Sequence, residues 1–380
     1  MKRIAFYGQY QPLARASAGY TRPYDAGAAS PFEAWANHTG HYLGDPLAWS
    51  VLLRDTISRL RPDWKVIDRD ISDACGTPGM SPDKCRLIQK ERRREPVDAN
   101  LVILGDDRFI SMGPRLLPPH RTVILSCLFR LYSYLYYNRQ KIGSLRDFAY
   151  IFEVSETYAQ RLMKMGLTNV KAMRSYRIWR PESLAKVVPR RKMRKCAYYG
   201  IFHADSSSGE FIILEAIRIV NSRRDEPIML DIYGRYFDRD DNPGNLDIIR
   251  GDPYIRYMGE LDGDTAVGVL AEYDCMLLMT RCLLLYSIMT IVVAAGMPVI
   301  LSRLIDTNEI IRDGVNGYLV RPGDVEELVD RIERLADDGE LLRKMSERNI
   351  ALYDELYAEE PATRELLEAI DRVMEAKAGG

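Results

Sequence analysis

Between Gly200 and Glu210 the chain reads Gly-Ile-Phe-His-Ala-Asp-Ser-Ser-Ser-Gly-Glu, small and hydroxylated residues set between a strand pattern and a helix pattern. Ser207 and Glu210 stand at the spacing of a capping box. A helix that starts there presents unpaired backbone N–H groups and the positive end of its dipole, which together suit a phosphate. Gly200, Ser206, Ser207, Ser208 and Gly209 are therefore candidates to hold a phosphate-bearing ligand, and His203 and Arg281 can add further hydrogen-bond donors. Simple helix capping explains each serine as well, with no ligand required.

A second set of competent residues sits in a loop. About forty residues, Gly8 to Asp45, separate the first strand pattern from the first helix pattern, where a handful is usual. The segment carries Tyr10, Tyr20, Trp35, His38 and His41. Loops at the carboxyl ends of parallel strands line the ligand crevice, so this one reads as a binding clamp. A packed decoration or a dimer contact is the equal alternative.

His120 follows Pro118-Pro119 and precedes a buried strand pattern, either facing a ligand or standing as a plain loop histidine. The run from Leu128 to Lys141 is aromatic and basic. It reads as a partly buried helix, with a membrane surface or a lipid-linked ligand as the alternative. Arg92-Arg-Arg94 and Arg190-Arg-Lys192 read as solvated charge runs. No G-x-S-x-G elbow and no G-x-x-x-x-G-K-[ST] loop is present. The histidines and cysteines are not spaced as zinc ligands, so no metal is expected.

These residues need elements to position them. Short apolar runs alternate with amphipathic stretches, the pattern of parallel sheets with crossover helices. Strands are expected at 3–7, 65–68, 101–104, 122–127, 150–153 and 170–173, then at 196–199, 228–232, 255–257, 275–279, 298–301 and 317–320. Helices are expected at 46–60, 155–165, 210–221, 265–273, 288–295 and 325–337. Ser155 can cap the second of these and Gly166 close it. Gly296-Met-Pro-Val marks a helix end and a strand start. The basic segment 186–195 reads as an exposed linker, dividing the chain into domains at 1–188 and 189–360, with a final helix in 361–380 that can cross back to the first.

Composition agrees with two cores, since 47% of the 380 residues are apolar. With 53 basic against 54 acidic residues, nothing pulls the chain toward nucleic acid. The apolar stretch after Met1 is too short for a signal peptide. The longest apolar run, Cys282 to Ile300, is broken by Ser287, Thr290, Gly296 and Pro298, so a buried helix and strand are expected rather than a membrane span. Cys127, Cys196 and Cys275 lie in or beside strand patterns and read as reduced core residues of a cytoplasmic protein.

From Tyr257 onward the sequence resembles the retaining GT-B glycosyltransferases. The resemblance is carried by Tyr257-Met-Gly-Glu-Leu, Leu270-Ala-Glu-Tyr-Asp-Cys-Met-Leu-Leu-Met, Ala294-Ala-Gly-Met-Pro-Val-Ile-Leu-Ser and Asn308-Glu-Ile-Ile-Arg-Asp-Gly-Val-Asn-Gly-Tyr-Leu-Val-Arg-Pro-Gly-Asp. It implies two Rossmann-like domains with parallel sheets facing a central cleft. It implies transfer of a sugar from a nucleotide donor such as a UDP- or GDP-sugar, with retention and without metal or other cofactor. The acceptor would be a carbohydrate, a lipid-linked molecule or a protein, held by the first domain and its aromatic loop, and peripheral membrane contact is a further option. Asn308 and Glu309 would contact the donor, although a first-turn Glu is favoured by the helix dipole alone.

The departures are as specific as the matches. The two carboxylates that the family carries fall here on Leu283 and Ile291, and its Arg and Lys fall near Ile201 and Ser208. The usual glycine pair before Glu309 reads Ile305-Asp306. The catalytic role is therefore open among His120, His203 and Arg281. The alternative function is a catalytically inactive homologue that serves as partner or scaffold.

Overall fold

The computed structural model describes residues 1–8, 46–70, 82–104, 116–126, 130–153, 155–173, 187–200, 202–203, 211–234, 236–237, 249, 251–261, 263–279, 286–304 and 307–376. They form two compact units, Met1–Arg177 with Glu359–Gly380, and Ile178–Ala358. Each is built on one six-stranded parallel sheet, and each of the twelve strands lies on an expected pattern.

In the first unit the strands are β1 (Lys2–Gly8), β2 (Trp64–Asp70), β3 (Ala99–Leu104), β4 (Thr122–Ser126), β5 (Tyr150–Glu153) and β6 (Val170–Ala172). Their order across the sheet is β2-β1-β3-β4-β5-β6. Alternation along β1 sends Ile4 and Phe6 into one core and Ala5 and Tyr7 into another, so both faces of the sheet are covered. Helix α1 (Pro46–Leu60) packs Leu53 and Ile57 on the first face. The far end of the chain joins it there: α10 (Glu359–Glu375) buries Leu366, Ala369, Ile370 and Val373 in the same core. Its Asp371 accepts a hydrogen bond from Lys2 Nζ at 2.9 Å and pairs with Arg61.

Helix α2 (Pro82–Arg94) was not legible as a helix, because its polar sequence offers only a few apolar residues. Its Arg92 is half-buried and donates to the Leu116 carbonyl, which corrects part of the reading of 92–94 as a solvated run. The aromatic-basic run does form a helix, α3 (Arg130–Tyr137), and a 3-10 segment follows at Arg139–Leu145. Ser155 caps α4 (Glu156–Lys164) by accepting from the Tyr158 N–H, and Gly166 closes it at φ 96°.

The second unit holds β7 (Lys195–Tyr199), β9 (Met229–Tyr233), β11 (Ile255–Gly259), β12 (Cys275–Leu278), β13 (Val299–Ser302) and β14 (Tyr318–Val320) in the order β11-β9-β7-β12-β13-β14. A short two-stranded ladder pairs β8 (Phe202–His203) with β10 (Tyr236–Phe237). The helices are α5 (Phe211–Ser222), α6 (Gly263–Leu270), α7 (Tyr286–Ala294), α8 (Val325–Asp337) and α9 (Gly339–Leu352). The long apolar run thus becomes a buried helix and strand, and no helix among the described residues is long and apolar enough to cross a membrane. Cys196 and Cys275 are free, buried and directly paired on neighbouring strands. Gly296 takes φ 59° after α7, where the Gly296 N–H bonds Val293 O and the Met297 N–H bonds Val292 O, the two bonds of a Schellman ending.

The segment 186–195 is only in part the exposed linker expected of it: Val188, Arg191, Lys192, Arg194 and Lys195 are exposed, but Arg190 and Met193 are buried. Arg190 is only 7% exposed, and its guanidinium donates to the carbonyls of Ala271 at 2.7 Å, Gly296 at 3.0 Å and Tyr273 at 3.1 Å. Those three carbonyls end helices and turns, where the backbone ladder leaves acceptors free, which is why a cation is drawn in; Gly296 O also accepts from Ser346 Oγ at 2.6 Å. The described part of this segment therefore belongs to the second unit, and the division falls at 177/178 rather than at 188.

A buried amide pair completes this core. Asn349 is fully buried; its Nδ2 donates to Met297 O and Asn316 O, both at 2.9 Å, and its Oδ1 accepts from Asn316 Nδ2 at 2.8 Å. Asn349→Leu keeps the volume and leaves these polar groups dry and unpaired. We expect it to lower the unfolding free energy of this unit by about 3 kcal/mol in urea titration, since each orphaned buried group costs about 1–3. A loss below about 1 kcal/mol would mean that the amides are satisfied otherwise.

Candidate functional site

In the second sheet β7 sits in the middle, with β9 and β11 on one side and β12 and β13 on the other. The chain reverses its direction of travel between β7 and β12. Ligands of open parallel sheets bind at such a switch point, outside the carboxyl ends of the strands.

Three glycines form the rim of that edge. Gly200 follows β7, Gly234 follows β9 and Gly259 ends β11, with φ of 151°, 125° and 84°. The Gly200 N–H donates to Tyr233 O at 3.0 Å, and the Gly234 N–H to Gly259 O at 2.8 Å. A Cβ on Gly234 would lie 1.8 Å from the Gly200 carbonyl oxygen. The two backbones thus touch, Gly200 and Gly234 are both buried, and Tyr198 Oη lies 3.5 Å from where a Gly200 Cβ would be. Ile288, in the first turn of α7, comes within 3.7 Å of where a Gly200 Cβ would be, so that helix start borders the same spot.

Tyrosines brace the rim from behind. Tyr257 Oη donates to Gly234 O at 2.8 Å, and Tyr199 Oη to Leu261 O at 3.4 Å. Below them Asp231, 2% exposed, accepts both Arg256 Nε at 2.7 Å and Nη2 at 2.6 Å, along with Tyr273 Oη at 2.7 Å. Tyr273 Oη also lies 2.8 Å from Tyr233 Oη. Burial, with the neighbouring Tyr233 and Asp231, pushes the Tyr273 hydroxyl well above the usual tyrosine range, so it stays a neutral donor. The network fixes the carboxyl ends of β9 and β11 without taking part at the rim.

Asn308 and Glu309 lie in the 3-10 turn Thr307–Glu309 that follows β13, Asn308 exposed and Glu309 half-buried. They stand on the same edge as Gly200, two strand spacings or about 10 Å along the sheet. The turn is held from behind by Asp313, which accepts from Arg303 Nη2 at 2.9 Å and from the Leu319 N–H at 3.0 Å.

The structure therefore brings Gly200, Asn308 and Glu309 to one edge. His203 pairs in the small ladder beyond Gly200, opposite Phe237. His120 is a correction: it is exposed in the turn Pro119–Arg121 at the amino end of β4, the edge opposite to that where sheets of this kind bind ligands, and it is withdrawn as a catalytic candidate. Ile291 is 1% exposed within α7, whose residues from Ile288 to Ala294 are all buried. Tyr10, Tyr20, Trp35, His38, His41, Ile201, Ser206, Ser207, Ser208, Gly209, Arg281 and Leu283 lie outside the described residues. Gly234 was not singled out in the sequence reading, and Gly259 entered it only within Tyr257-Met-Gly-Glu-Leu and not as a site residue; each lies two residues beyond an expected strand, and that was the available signal.

Residues 194–338, the stretch that carries the rim and the Asn308–Glu309 turn, match the family described as Glycosyl transferases group 1. No curated protein matches the sequence. Among solved structures, sucrose-phosphate synthase from Thermosynechococcus elongatus superposes with a TM-score of 0.63 at 11% identity, over 99% of this chain and 100% of that one. HepE from Anabaena, in complex with UDP and glucose, gives 0.60 at 12% identity over 98% and 100%. TarM from S. aureus, in a complex that includes UDP, gives 0.55 at 12% identity over 76% of this chain, which spans only 59% of TarM. The likeness is one of fold, two Rossmann-like units of the GT-B type.

Proposed function

We propose that this chain, whose residues 194–338 form a group 1 glycosyltransferase domain, moves a sugar from a nucleotide-sugar to an acceptor taken by its N-terminal unit, in the cytoplasm. The observation that carries the reading is the coincidence of three things on one sheet edge: the switch point, the close backbone approach of Gly200 and Gly234, and the Asn308–Glu309 turn. The main chain beyond Gly200 and the start of α5 would take the diphosphate, and Glu309 the ribose hydroxyls. UDP in the HepE and TarM structures supports a uridine donor. Retention and independence of metal follow the resemblance. The acceptor is a carbohydrate, a lipid-linked molecule or a protein, met by Tyr10, Tyr20, Trp35, His38 and His41. His203 and Arg281 are the candidates for chemistry at the leaving group, where developing negative charge needs a donor.

A second reading is favoured by Ile291. An isoleucine fully enclosed in α7 cannot replace a carboxylate that faces a sugar, so a donor-binding but catalytically silent partner subunit fits the same geometry. Thermal unfolding with nucleotides tests the first point. UDP or GDP at 100 times its dissociation constant should stabilise the protein by about 2.7 kcal/mol, seen as a rise in Tm. No shift with any nucleotide at millimolar concentration would overturn the donor site. A shift with neither transfer nor hydrolysis of UDP-sugars would decide for the silent partner.

A further inference from the structure

We propose that the N-terminal unit carries a separate binding site for a phosphate-bearing ligand, in a hollow of about 340 Å³ between α3, the 3-10 segment Arg139–Leu145 and α4. Its walls include Tyr132 and Tyr136 from α3, Arg139 and Ile142 from the 3-10 segment, and Arg161 and Lys164 from α4. Three cations thus converge from two elements, and no carboxylate lines the space.

The two arginines are held in place by ring faces. The Arg161 guanidinium carbon lies 5.3 Å from the Tyr132 ring centre and 5.5 Å from that of Tyr158, and that of Arg139 lies 5.7 Å from Tyr136. Cation–π contact of this kind engages the faces of a guanidinium and leaves its N–H edges for another partner. Those edges match the oxygens of a phosphate, which can take two of them at once.

A simpler cause covers only part of the arrangement. Arg161 and Lys164 occupy the last turn of α4, where the helix dipole favours cations. Arg139 comes from a different segment, and the dipole gives it no reason to approach two like charges. Gathering three positive groups around one hollow raises the local potential and concentrates anions there. The other walls define the rest of the ligand. Ile142 and Met165 are apolar, and the two tyrosines offer ring edges and faces. A phosphate joined to a ring or an alkyl portion fits this mixture better than a bare inorganic ion. Two sources share that chemistry, a free phosphorylated small molecule and the headgroup of an anionic lipid.

The site does not depend on the donor reading, and the test keeps them apart. Full-length protein is measured against phenyl phosphate by calorimetry, with inorganic phosphate as baseline, and against phosphatidylglycerol vesicles by co-sedimentation. The variant is R139E/R161E, both partners being at the surface or half-buried, with K164E as the second, milder variant. We expect the wild-type protein to retain at least one probe, with an affinity that falls as salt rises. The double variant should weaken it about a hundredfold, since each lost hydrogen bond to a charged group is worth about tenfold. K164E should weaken it less, and each variant should stay folded, with a Tm lower by only a few degrees from the lost helix-end cation, and keep any response to UDP. Phenyl phosphate alone binding assigns a free ligand, and vesicles alone assign a lipid. Binding of neither probe by the wild-type protein, or equal binding by all three proteins, overturns the proposal.

Discussion

Gly234→Ala is expected to destabilise the second unit by about 4 kcal/mol or more and to remove the UDP-dependent rise in Tm. Two penalties add. At φ 125° an L-residue is strained, a cost of about 1–3 kcal/mol by itself. The new methyl would also sit 1.8 Å from the Gly200 carbonyl oxygen, a distance that no rotamer change relieves, because both atoms are fixed to main chain. The carboxyl ends of β7 and β9 must separate, which breaks the 3.0 Å bond from Gly200 N–H to Tyr233 O. Gly259→Ala is the control. It too has a positive φ, 84°, but nothing lies within 4 Å of its added methyl. It should cost only about 1 kcal/mol and leave the nucleotide response intact. Urea titration and Tm with and without UDP read both effects. Equal losses for the two alanines would mean that the close approach of the strands does not govern the rim.

Arg190→Ala should cost the same unit about 3–5 kcal/mol, although the residue lies in a stretch that looks like a surface linker. Burial pushes the guanidinium down to about 10, so it is still charged at neutral pH. Its compensation is three short hydrogen bonds to the carbonyls of Ala271, Gly296 and Tyr273, and the N–H of Arg190 itself bonds Ser346 Oγ at 3.1 Å. Alanine leaves the carbonyls of Ala271 and Tyr273 without this donor, leaves Gly296 O with Ser346 Oγ alone, and opens a cavity beneath them. Arg190→Lys keeps the charge but brings one nitrogen in place of three, and should recover less than half of the loss. Exposed Arg191→Ala is the reference and should change stability by less than about 0.5 kcal/mol. A loss below about 1 kcal/mol for Arg190→Ala, measured by urea unfolding, would show that water replaces the guanidinium.

The aromatic-basic run and the run at 190–192 look alike in sequence and behave differently in the fold. Arg139, from the first run, stays exposed beside a hollow, whereas Arg190 goes inside. Nothing local distinguishes them, because what draws Arg190 inward is a set of carbonyls supplied by residues eighty and more positions away.

By itself the sequence determined the twelve strands, the alternation that makes both sheets parallel, and the ends of helices at Ser155, Gly166 and Gly296. Each of these depends on periodicity, caps and φ preferences that neighbouring residues decide among themselves. The tertiary structure alone decided which strand lies beside which. From that follow the switch point at β7, the contact of Gly200 with Gly234, the burial of Arg190 and the opposite placement of His120. These are relations between segments far apart in the chain, and the sequence carries their parts without their distances.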